Sequence, residues 1–198
     1  LEAGGSDRHP LIDLPFGFGA ITHDAKFSWL FDSEPEPALN GRRVRLPRGR
    51  RLGGSSAING MLYVRGQHED FDDWAALGAT GWAARDVLPW FRRAEDQARG
   101  ADEWHGTGGP LHVSDLVLRD PLSDALIAAA EATGLPRNPD FNGARQVGVG
   151  YFQANIRDGK RWSAARGYLR DWPGLGRTVE VRTEALVTRL LFDAERRA

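Results

Sequence analysis

The feature that most limits the fold of this chain is a long stretch, residues 4 to 57, that is rich in Gly, Pro and Arg and lacks regular apolar spacing. A segment of that length without regular structure is usually functional when it lies in a compact domain. It ends in Gly53-Gly54-Ser55-Ser56. The glycines remove side chains and permit positive φ, so the main chain can approach a bulky group closely. The serines offer an N-cap to a helix whose first N–H groups attract an anion such as a pyrophosphate.

Asn59 follows this run and carries a side-chain amide that both donates and accepts hydrogen bonds. Such an amide suits the edge of a heterocycle. The glycine-serine run is equally typical of an ordinary Gly-Gly turn ahead of a capped helix. Taken alone, the four residues leave both interpretations open, a cofactor-facing turn and a purely structural one.

The apolar spacing outside this stretch predicts a mixed α/β fold. Asp120 is a good N-cap with Pro121 at the first helical position, and Gly134 is a good stop, so we expect a helix between them. Its buried stripe would comprise Leu122, Leu126, Ala129 and Ala130. Pro89 falls in the first turn of an earlier helix, where its missing N–H is tolerated. The other expected elements are helices over 68–77, 85–98 and 163–170, strands over 111–113, 150–157, 178–182 and 185–192, and a hairpin turn at 158–159.

Both ends of the chain have strand-like patterns. Leu1 runs directly into Glu2 and a glycine pair, as at the end of a strand, and residues 185–192 continue a strand pattern towards Ala198. We therefore expect the sequence to be a piece of a larger protein.

Charge and composition exclude several functional classes. The 26 Lys and Arg residues nearly balance the 27 Asp and Glu residues, which gives a formal net charge of -1. Nucleic-acid and anionic-membrane binders need a basic surplus, so neither partner is expected. The absence of cysteine excludes disulfides, thiol catalysis and cysteine-bound zinc. Apolar runs such as 125–130 fall far short of the roughly 20 residues of a membrane span, and no signal-peptide pattern is visible, so a cytoplasmic protein is expected.

The histidines form no recognisable catalytic or metal site. None stands at a convincing i, i+4 spacing from another His or an acid, and His105 and His112 only flank a Gly-rich turn. The histidines at 9, 23, 68, 105 and 112 are therefore interpreted as loop or surface residues, and no metal site is predicted. Ser55, Ser56 and Ser163 lack the G-x-S-x-G setting of a serine hydrolase.

The longer string around the glycine pair indicates a family. Four blocks together resemble the first signature of the glucose-methanol-choline (GMC) oxidoreductases: Pro47 to Gly49, Gly53 to Ser56, Ile58 to Met61 and Tyr63 to Gly66. Leu39 to Arg42 match just upstream, and Trp29 to Glu36 look like the segment of that family that covers the flavin. Further matches follow in order at Asp70 to Trp74, Trp104 to Gly106, Gly109 to Leu111, Asp140 to Gly143 and Arg161 to Leu169. The similarity spans nearly the whole chain and is closest to the choline dehydrogenase and alkyl-alcohol dehydrogenase branch.

The resemblance implies a Rossmann-like FAD-binding domain and a substrate domain built on an antiparallel sheet. The implied reaction is hydride transfer to flavin N5 from the carbon of a small alcohol, choline-like or alkyl. Residues 1–66 would form an FAD-binding portion with the flavin-covering segment, 67–175 a helical extension with part of the substrate domain, and 176–198 return strands of the FAD-binding domain. The resemblance assigns neither an electron acceptor nor an oligomeric state.

The resemblance also implies FAD contacts residue by residue. Glu2 would hold the adenosine ribose hydroxyls, because an acid accepts two hydroxyl hydrogen bonds. The backbone of Val187 would pair with adenine. The turn that passes the pyrophosphate and the flavin would be Gly53, Gly54 and Ser55, and the contacts to the isoalloxazine end Asn59, Gly60 and Leu62. The complete set of expected cofactor-binding residues is Glu2, Arg50, Gly53, Gly54, Ser55, Asn59, Gly60, Met61, Leu62 and Val187.

Two departures from the family pattern are informative. Members that tether the flavin covalently place a His immediately before the Asn, where this chain has Ile58, so noncovalent FAD is expected. No G-x-G-x-x-G follows an apolar strand, because Gly17-Phe18-Gly19 lacks the third glycine. None of the histidines matches the catalytic His, which lies near the far end of the family's full enzymes. The phosphate loop and the catalytic residues are therefore expected outside this piece, which alone is expected to be inactive.

Three functional hypotheses are compatible with these residues. The first is an FAD-dependent alcohol dehydrogenase of which this chain is one portion. The second is a flavoprotein of the same fold that acts as an alcohol oxidase or a hydroxynitrile lyase. The third is a noncatalytic, truncated remnant, which the neighbouring coding sequence would distinguish from the other two.

Overall fold

The computed structural model describes residues 1–170 and 179–195 and divides the chain into two units. The first unit combines Leu1–Gly60 with Ser163–Ala198, and the second is Met61–Trp162. Two stretches far apart in the sequence thus build the first unit, whereas the second is continuous. Among the described residues, no helix is long and apolar enough to cross a membrane.

The first unit begins with short helices that enclose a small apolar core. Helix α1 is Pro10–Asp13, a 3₁₀ turn covers Pro15–Gly17, and α2 is Phe18–Ile21. The ring of His9 accepts the N–H of Leu11 at 3.2 Å and so caps α1. The core cluster consists of Ile12, Ile21, Phe27, Ala57 and Ile58.

A β-ribbon follows, within the stretch that the sequence predicted to be irregular. Strand β1, Ser28–Asp32, pairs antiparallel with β2, Arg45–Gly49, and a 3₁₀ turn at Pro37–Leu39 lies between them. The prediction of an irregular segment was therefore wrong for this part. Pro47 stands opposite Leu30 in the ladder. A proline is tolerated there because a ribbon of two strands has only edges, where one N–H need not take part in the ladder.

The second unit opens with two helices and a short parallel sheet. Helix α3 spans His68–Ala76 and α4 spans Ala84–Ala94. Strands β3, Glu95–Gln97, and β4, Leu111–Val113, pair in parallel. The predictions of α3 and β4 are confirmed, but α4 ends earlier than expected because the residues after it leave the helix to pair with β4. Pro89 lies inside α4 and not in its first turn.

Helix α5 confirms its predicted ends but not its predicted buried face. It spans Pro121–Ala132, the carboxylate of Asp120 accepts the Leu122 N–H at 2.8 Å, and Gly134 follows with φ +95. The only residue of α5 that is buried is Ile127. Leu122 and Leu126 are 77% and 68% exposed, so the predicted stripe is wrong for the part of the chain described.

The predicted hairpin turn is confirmed, although its strands are shorter than expected. Strand β5, Ile156–Arg157, pairs with β6, Lys160–Arg161, around Asp158 and Gly159, which both have positive φ. Two positive φ values in a two-residue loop define the turn type that matches the twist of paired strands. Within residues 150–155 only Ala154 forms β-bridges, to Leu62 and Ser114, so there is no continuous strand.

The end of the chain returns to the first unit. Ala165–Arg170 form a π-helix, at the place where a helix was predicted. The strand predicted at 185–192 is absent from the described residues, and that at 178–182 lies partly outside them. Backbone hydrogen bonds instead join this part to the start of the chain: the Glu2 N–H donates to the Arg182 carbonyl at 2.9 Å.

Candidate functional site

The glycine turn of the first unit has a backbone conformation that favours glycine at both positions. Gly53 has φ +91 and Gly54 has φ +57, values that residues with a Cβ adopt rarely. A single 3₁₀ turn, Gly54–Ala57, begins at the second glycine. The Gly54 N–H donates to the Arg51 carbonyl at 2.7 Å and closes the bend. The predicted turn with positive φ is therefore confirmed, but the helix expected after it is only one short turn.

The two serines fasten the turn to neighbouring segments and do not cap a helix as predicted. Ser55 Oγ accepts the Gly49 N–H at 3.1 Å, from the end of β2. Ser56 Oγ donates to the Gly53 carbonyl at 2.6 Å and accepts the Ala164 N–H at 2.9 Å. The hydroxyls thus bind main-chain groups within six residues, Gly49 and Gly53, and one that is distant in sequence, Ala164. The idea of an anion-binding helix start at this point is not supported, because the helical segment is too short.

One side of the turn is packed and the other is open. A Cβ placed on Gly53 would lie 3.0 Å from the Cβ of Ala165, whereas a Cβ on Gly54 would meet nothing within 4 Å. A Cβ on Gly60 would also point into open space, whereas one on Gly49 would overlap the Gly54 carbonyl. Bare main chain is therefore available to a large group on the open side only.

An open pocket of about 450 Å³ lies beside this turn. Its walls include three of the expected cofactor residues, namely Ser55, Asn59 and Gly60. The remaining walls are Phe18, Gly19, Thr22, His23, Pro47, Arg48 and Ile58. Thr22 Oγ1 donates to the Ile58 carbonyl at 3.0 Å and joins α2 to the segment after the turn. The pocket combines an apolar wall with an amide, a hydroxyl and exposed main chain, which is the usual make-up of a small-molecule site.

Glu2 and Val187 lie on chain segments that are hydrogen-bonded to each other. The Ala185 N–H donates to the Glu2 carbonyl at 2.9 Å, and Val187 follows two residues later with half of its surface exposed. Glu2 Oε1 accepts the Gly4 N–H at 2.7 Å, which orients the carboxylate. Neither residue is among the walls of the pocket.

The other expected cofactor residues occupy separate places. The guanidinium of Arg50 lies 4.5 Å above the ring of Trp29, and its N–H donates to the Phe27 carbonyl at 2.8 Å. Met61 and Leu62 belong to the second unit, where Met61 is buried with φ +64 and Leu62 is half exposed.

Comparison with known proteins decides the family. The family model described as GMC oxidoreductase matches residues 17–198, which is most of the chain. This chain belongs to the GMC oxidoreductase family. The resemblance in the sequence motifs is therefore confirmed, and with it the mixed fold related to FAD-binding oxidoreductases.

The relatives of this GMC chain are much longer than the chain itself. An oxygen-dependent choline dehydrogenase from Rhizobium etli (strain CIAT 652) is 48% identical over 170 residues, which cover 86% of this chain and 31% of that protein. The Brucella anthropi protein of the same name is 40% identical over 196 residues, 99% of this chain and 35% of its own length. The chain thus spans about a third of the curated relatives that it matches.

Solved structures agree with this assignment. The crystal structure of pyridoxine 4-oxidase from Mesorbium loti matches 92% of this chain and 36% of its own with a TM-score of 0.85 and 34% identity. An FAD-dependent oxidoreductase from Chaetomium thermophilum matches 84% of this chain and 30% of its own, with a TM-score of 0.74 and 29% identity. Formate oxidase, at 23% identity and a TM-score of 0.83, matches 97% of this chain and 34% of its own and shows the fold alone. The family and its FAD-dependent neighbours support FAD as the cofactor.

The second unit of this GMC chain contains a buried charged cluster that the sequence did not reveal. His105, interpreted from the sequence as a loop or surface residue, lies in a loop, but its side chain is buried and not at the surface. Its Nδ1 lies 3.1 Å from both carboxylate oxygens of Glu95, and its Nε2 lies 2.9 Å from Asp140 Oδ2. Burial alone would lower the pKa of His105, but the hydrogen bonds and negative charges of Asp140 and Glu95 outweigh it and raise the pKa above its ordinary value.

Arg65 completes this cluster. Its Nη2 lies 2.7 Å from Glu95 Oε2, and the side chains of the pair are 6% and 0% exposed. Its Nη1 donates to the Trp104 carbonyl at 2.8 Å, and its N–H donates to Asn142 Oδ1 at 2.8 Å. Two loops are thereby joined to β3 through charged groups. Arg65 lies 30 residues from Glu95, and His105 lies 10 residues from Glu95 and 35 from Asp140, so the spacing of neighbouring residues did not predict the cluster. Among the residues described, no group of three or more His, Cys, Asp or Glu side chains is placed to hold a metal.

Proposed function

We propose that the protein carrying this chain is an FAD-dependent oxidoreductase that acts on the CH–OH group of a small alcohol, and that this chain supplies part of a noncovalent FAD site. The observation that carries the proposal is a pocket lined by Ser55, Asn59 and Gly60. It lies next to the glycine turn, and a Cβ on Gly54 or on Gly60 would meet nothing within 4 Å. A flat ring system needs such an approach to the backbone.

The residues present are compatible with a flavin. Asn59 offers both a donor and an acceptor to the edge of a heterocycle, and the Ser55 hydroxyl lies at the same pocket. Ile58 is 3% exposed, belongs to the apolar core and also borders the pocket. Its hydrocarbon side chain has no nucleophilic atom, which supports noncovalent binding of FAD at this position.

Glu2 and Val187 are the proposed contacts to the adenosine end of such a cofactor. The carboxylate of Glu2, held by the Gly4 N–H, would accept hydrogen bonds from the ribose hydroxyls. Val187 lies just beyond the segment that is hydrogen-bonded to Glu2, so its backbone would serve adenine in the same region. Arg50, stacked on Trp29, adds a positive charge in the first unit, and Met61 and Leu62 are proposed as further contacts.

In this proposal the residues of this chain bind and orient FAD, and FAD itself reacts with the alcohol. When bound, FAD supplies the acceptor for the hydride of an alcohol. Ser55, Asn59 and the exposed glycine main chain hold the ring in one orientation, which is how positioned groups lower the entropic part of a barrier. We assign no catalytic residue to this chain. The choline dehydrogenases among its relatives support a choline-like alcohol as the substrate. An alkyl alcohol is the second candidate substrate.

The proposal is tested on the purified protein that carries this chain. The flavin should be released into the supernatant by acid precipitation, because nothing tethers it. Anaerobic addition of choline or a short alkyl alcohol should bleach the visible flavin absorbance, whereas tetramethylammonium, which has no hydroxyl, should not. A colourless protein, flavin retained in the precipitate, or bleaching independent of the hydroxyl would each contradict one part of the proposal.

A further inference from the structure

The segment after Trp162 packs against the closed side of the glycine turn. The Ala164 N–H donates to Ser56 Oγ, and the same hydroxyl donates to the Gly53 carbonyl. One side chain therefore holds both the turn and the segment behind it. A hydroxyl that donates and accepts at once fixes the distance between two main-chain groups.

Ala165 limits the room behind the turn. It is 1% exposed, and a Cβ on Gly53 would lie 3.0 Å from its Cβ and 3.2 Å from its nitrogen. The contact therefore leaves no room for a larger side chain at Gly53 or at Ala165. Any increase in the size of residue 165 must push the turn towards its open side, because well-packed interiors do not absorb an extra methyl group freely.

The π-helix that begins at Ala165 is itself anchored by charge. Arg170 Nη2 lies 2.8 Å from Asp7 Oδ2, and the Asp7 side chain is only 2% exposed. Arg166 Nη1 lies 3.7 Å from Asp13 Oδ1 in a second, looser ion pair. A buried carboxylate that loses its charged partner is strongly unfavourable, so the Asp7 pair fixes the position of the helix.

We propose that residues 163–170 form a positioning element for the cofactor-facing turn, with Ser56, Ala165 and Arg170 as its positioning residues. The element sets how far Gly54 projects towards the open side. Arg170, which is not among the walls of the pocket, therefore affects how tightly a flavin binds. This inference rests on the proposed function, because it assumes that the turn faces a flavin.

Four variants and one control variant of the flavin-loaded protein test it, each converted to apoprotein and titrated with FAD. Ala165→Val and Arg170→Met should each raise the Kd for FAD about 10-fold, and Ser56→Ala should raise it about 5-fold, the range expected for one lost hydrogen bond or one displaced contact. Arg170→Lys keeps a charge for Asp7 and should recover a large part of the loss. Arg137→Met breaks an exposed ion pair with Glu131 in the second unit and should leave the Kd within about 2-fold.

Three measurements distinguish an effect on the position of the turn from an effect on the stability of the protein. The Kd for FAD, the visible circular dichroism of bound FAD and the Tm of the apoprotein are measured for each variant. A fall in Tm with an unchanged Kd and dichroism would overturn the inference, as would an Arg137→Met effect equal to that of Arg170→Met. If Ala165→Val does not fold, Ala165→Ser decides, with a smaller rise in Kd in the same direction expected. If the wild-type protein binds no FAD at all, the proposed function itself fails, whereas tight binding that is equal in all variants overturns only the positioning role.

Discussion

The two glycines of the turn provide a matched pair of substitutions, Gly53→Ala and Gly54→Ala. Both add one methyl group at a residue with positive φ. They differ in what the methyl group meets, because Gly53 faces Ala165 and Gly54 faces open space. A comparison of the two variants therefore separates the cost of the backbone conformation from the cost of packing.

The expected magnitudes follow from these contacts. A left-handed conformation costs a residue with a Cβ about 1–2 kcal/mol. Gly54→Ala should lower the free energy of unfolding by about that amount, less the few tenths gained from a stiffer unfolded chain. Gly53→Ala carries at least that conformational cost, because φ +91 lies outside the left-handed region that residues with a Cβ can adopt, and it adds an overpacked contact worth about 1–3 kcal/mol. We therefore expect Gly53→Ala to be the more destabilising variant by about 1–3 kcal/mol.

Urea unfolding followed by circular dichroism measures this difference, and FAD titration should give the opposite order. The methyl group of Gly54→Ala meets no protein atom within 4 Å, and under the proposed function that open space belongs to the flavin, so this variant should weaken FAD binding more than its modest loss of stability suggests. Adding Ala165→Gly to Gly53→Ala should restore part of the packing cost, as a coupled pair does. Equal destabilisation by the two single variants, or no recovery in the double variant, would refute the reasoning.

Three further predictions concern the charged cluster and the pocket. Because the folded-state pKa of His105 lies above the ordinary value of about 6.5, its contribution to stability is complete below that pH and declines as the pH rises through the folded value. The free energy of unfolding should fall over that interval in the wild type, and His105→Gln should flatten the profile in urea titrations at a series of pH values. Arg65→Met should lower the free energy of unfolding by about 3–5 kcal/mol, because the fully buried Glu95 loses a charged partner, and a loss below about 1 kcal/mol in urea titration would contradict this. Asn59→Ala should reduce the ratio of flavin to protein after gel filtration more than Ser56→Ala does, and equal ratios would count against the role of the amide.

Local chemistry predicted the turn but not the partners of its serines. Two adjacent glycines indicate positive φ from the sequence alone, and the structure has it at both positions. The N-cap role failed because the hydroxyls of Ser55 and Ser56 bind the N–H groups of Gly49 and Ala164. A bond from Ser56 to a residue more than a hundred positions away leaves no trace in the spacing of nearby residues.

The ends of a helix could be predicted from the sequence where the capping residue was adjacent to the helix. Which residues of the helix are buried could not be predicted. Asp120 and Gly134 marked the ends of α5 because their effects act within one turn. The apolar spacing of α5 indicated an apolar face, but spacing does not say what covers that face, and Leu122 is mostly exposed here. The same limit explains His105, whose carboxylate partners come from β3 and from a distant loop.

The two-part origin of the first unit brings two of the family motifs of this chain into contact. The glycine-serine run stands before the second unit and the segment 163–170 stands after it, yet Ser56 and Ala164 are joined by a single hydrogen bond. Glycine loses much conformational entropy when it is fixed in one conformation, and the turn without the later segment would make few contacts to offset that loss. Its geometry is therefore completed only when the later segment folds back against Gly53, and the close contact with Ala165 explains why both positions carry such small residues. A change in either motif should consequently alter the other, and the Gly53 and Ala165 double variant measures that coupling directly.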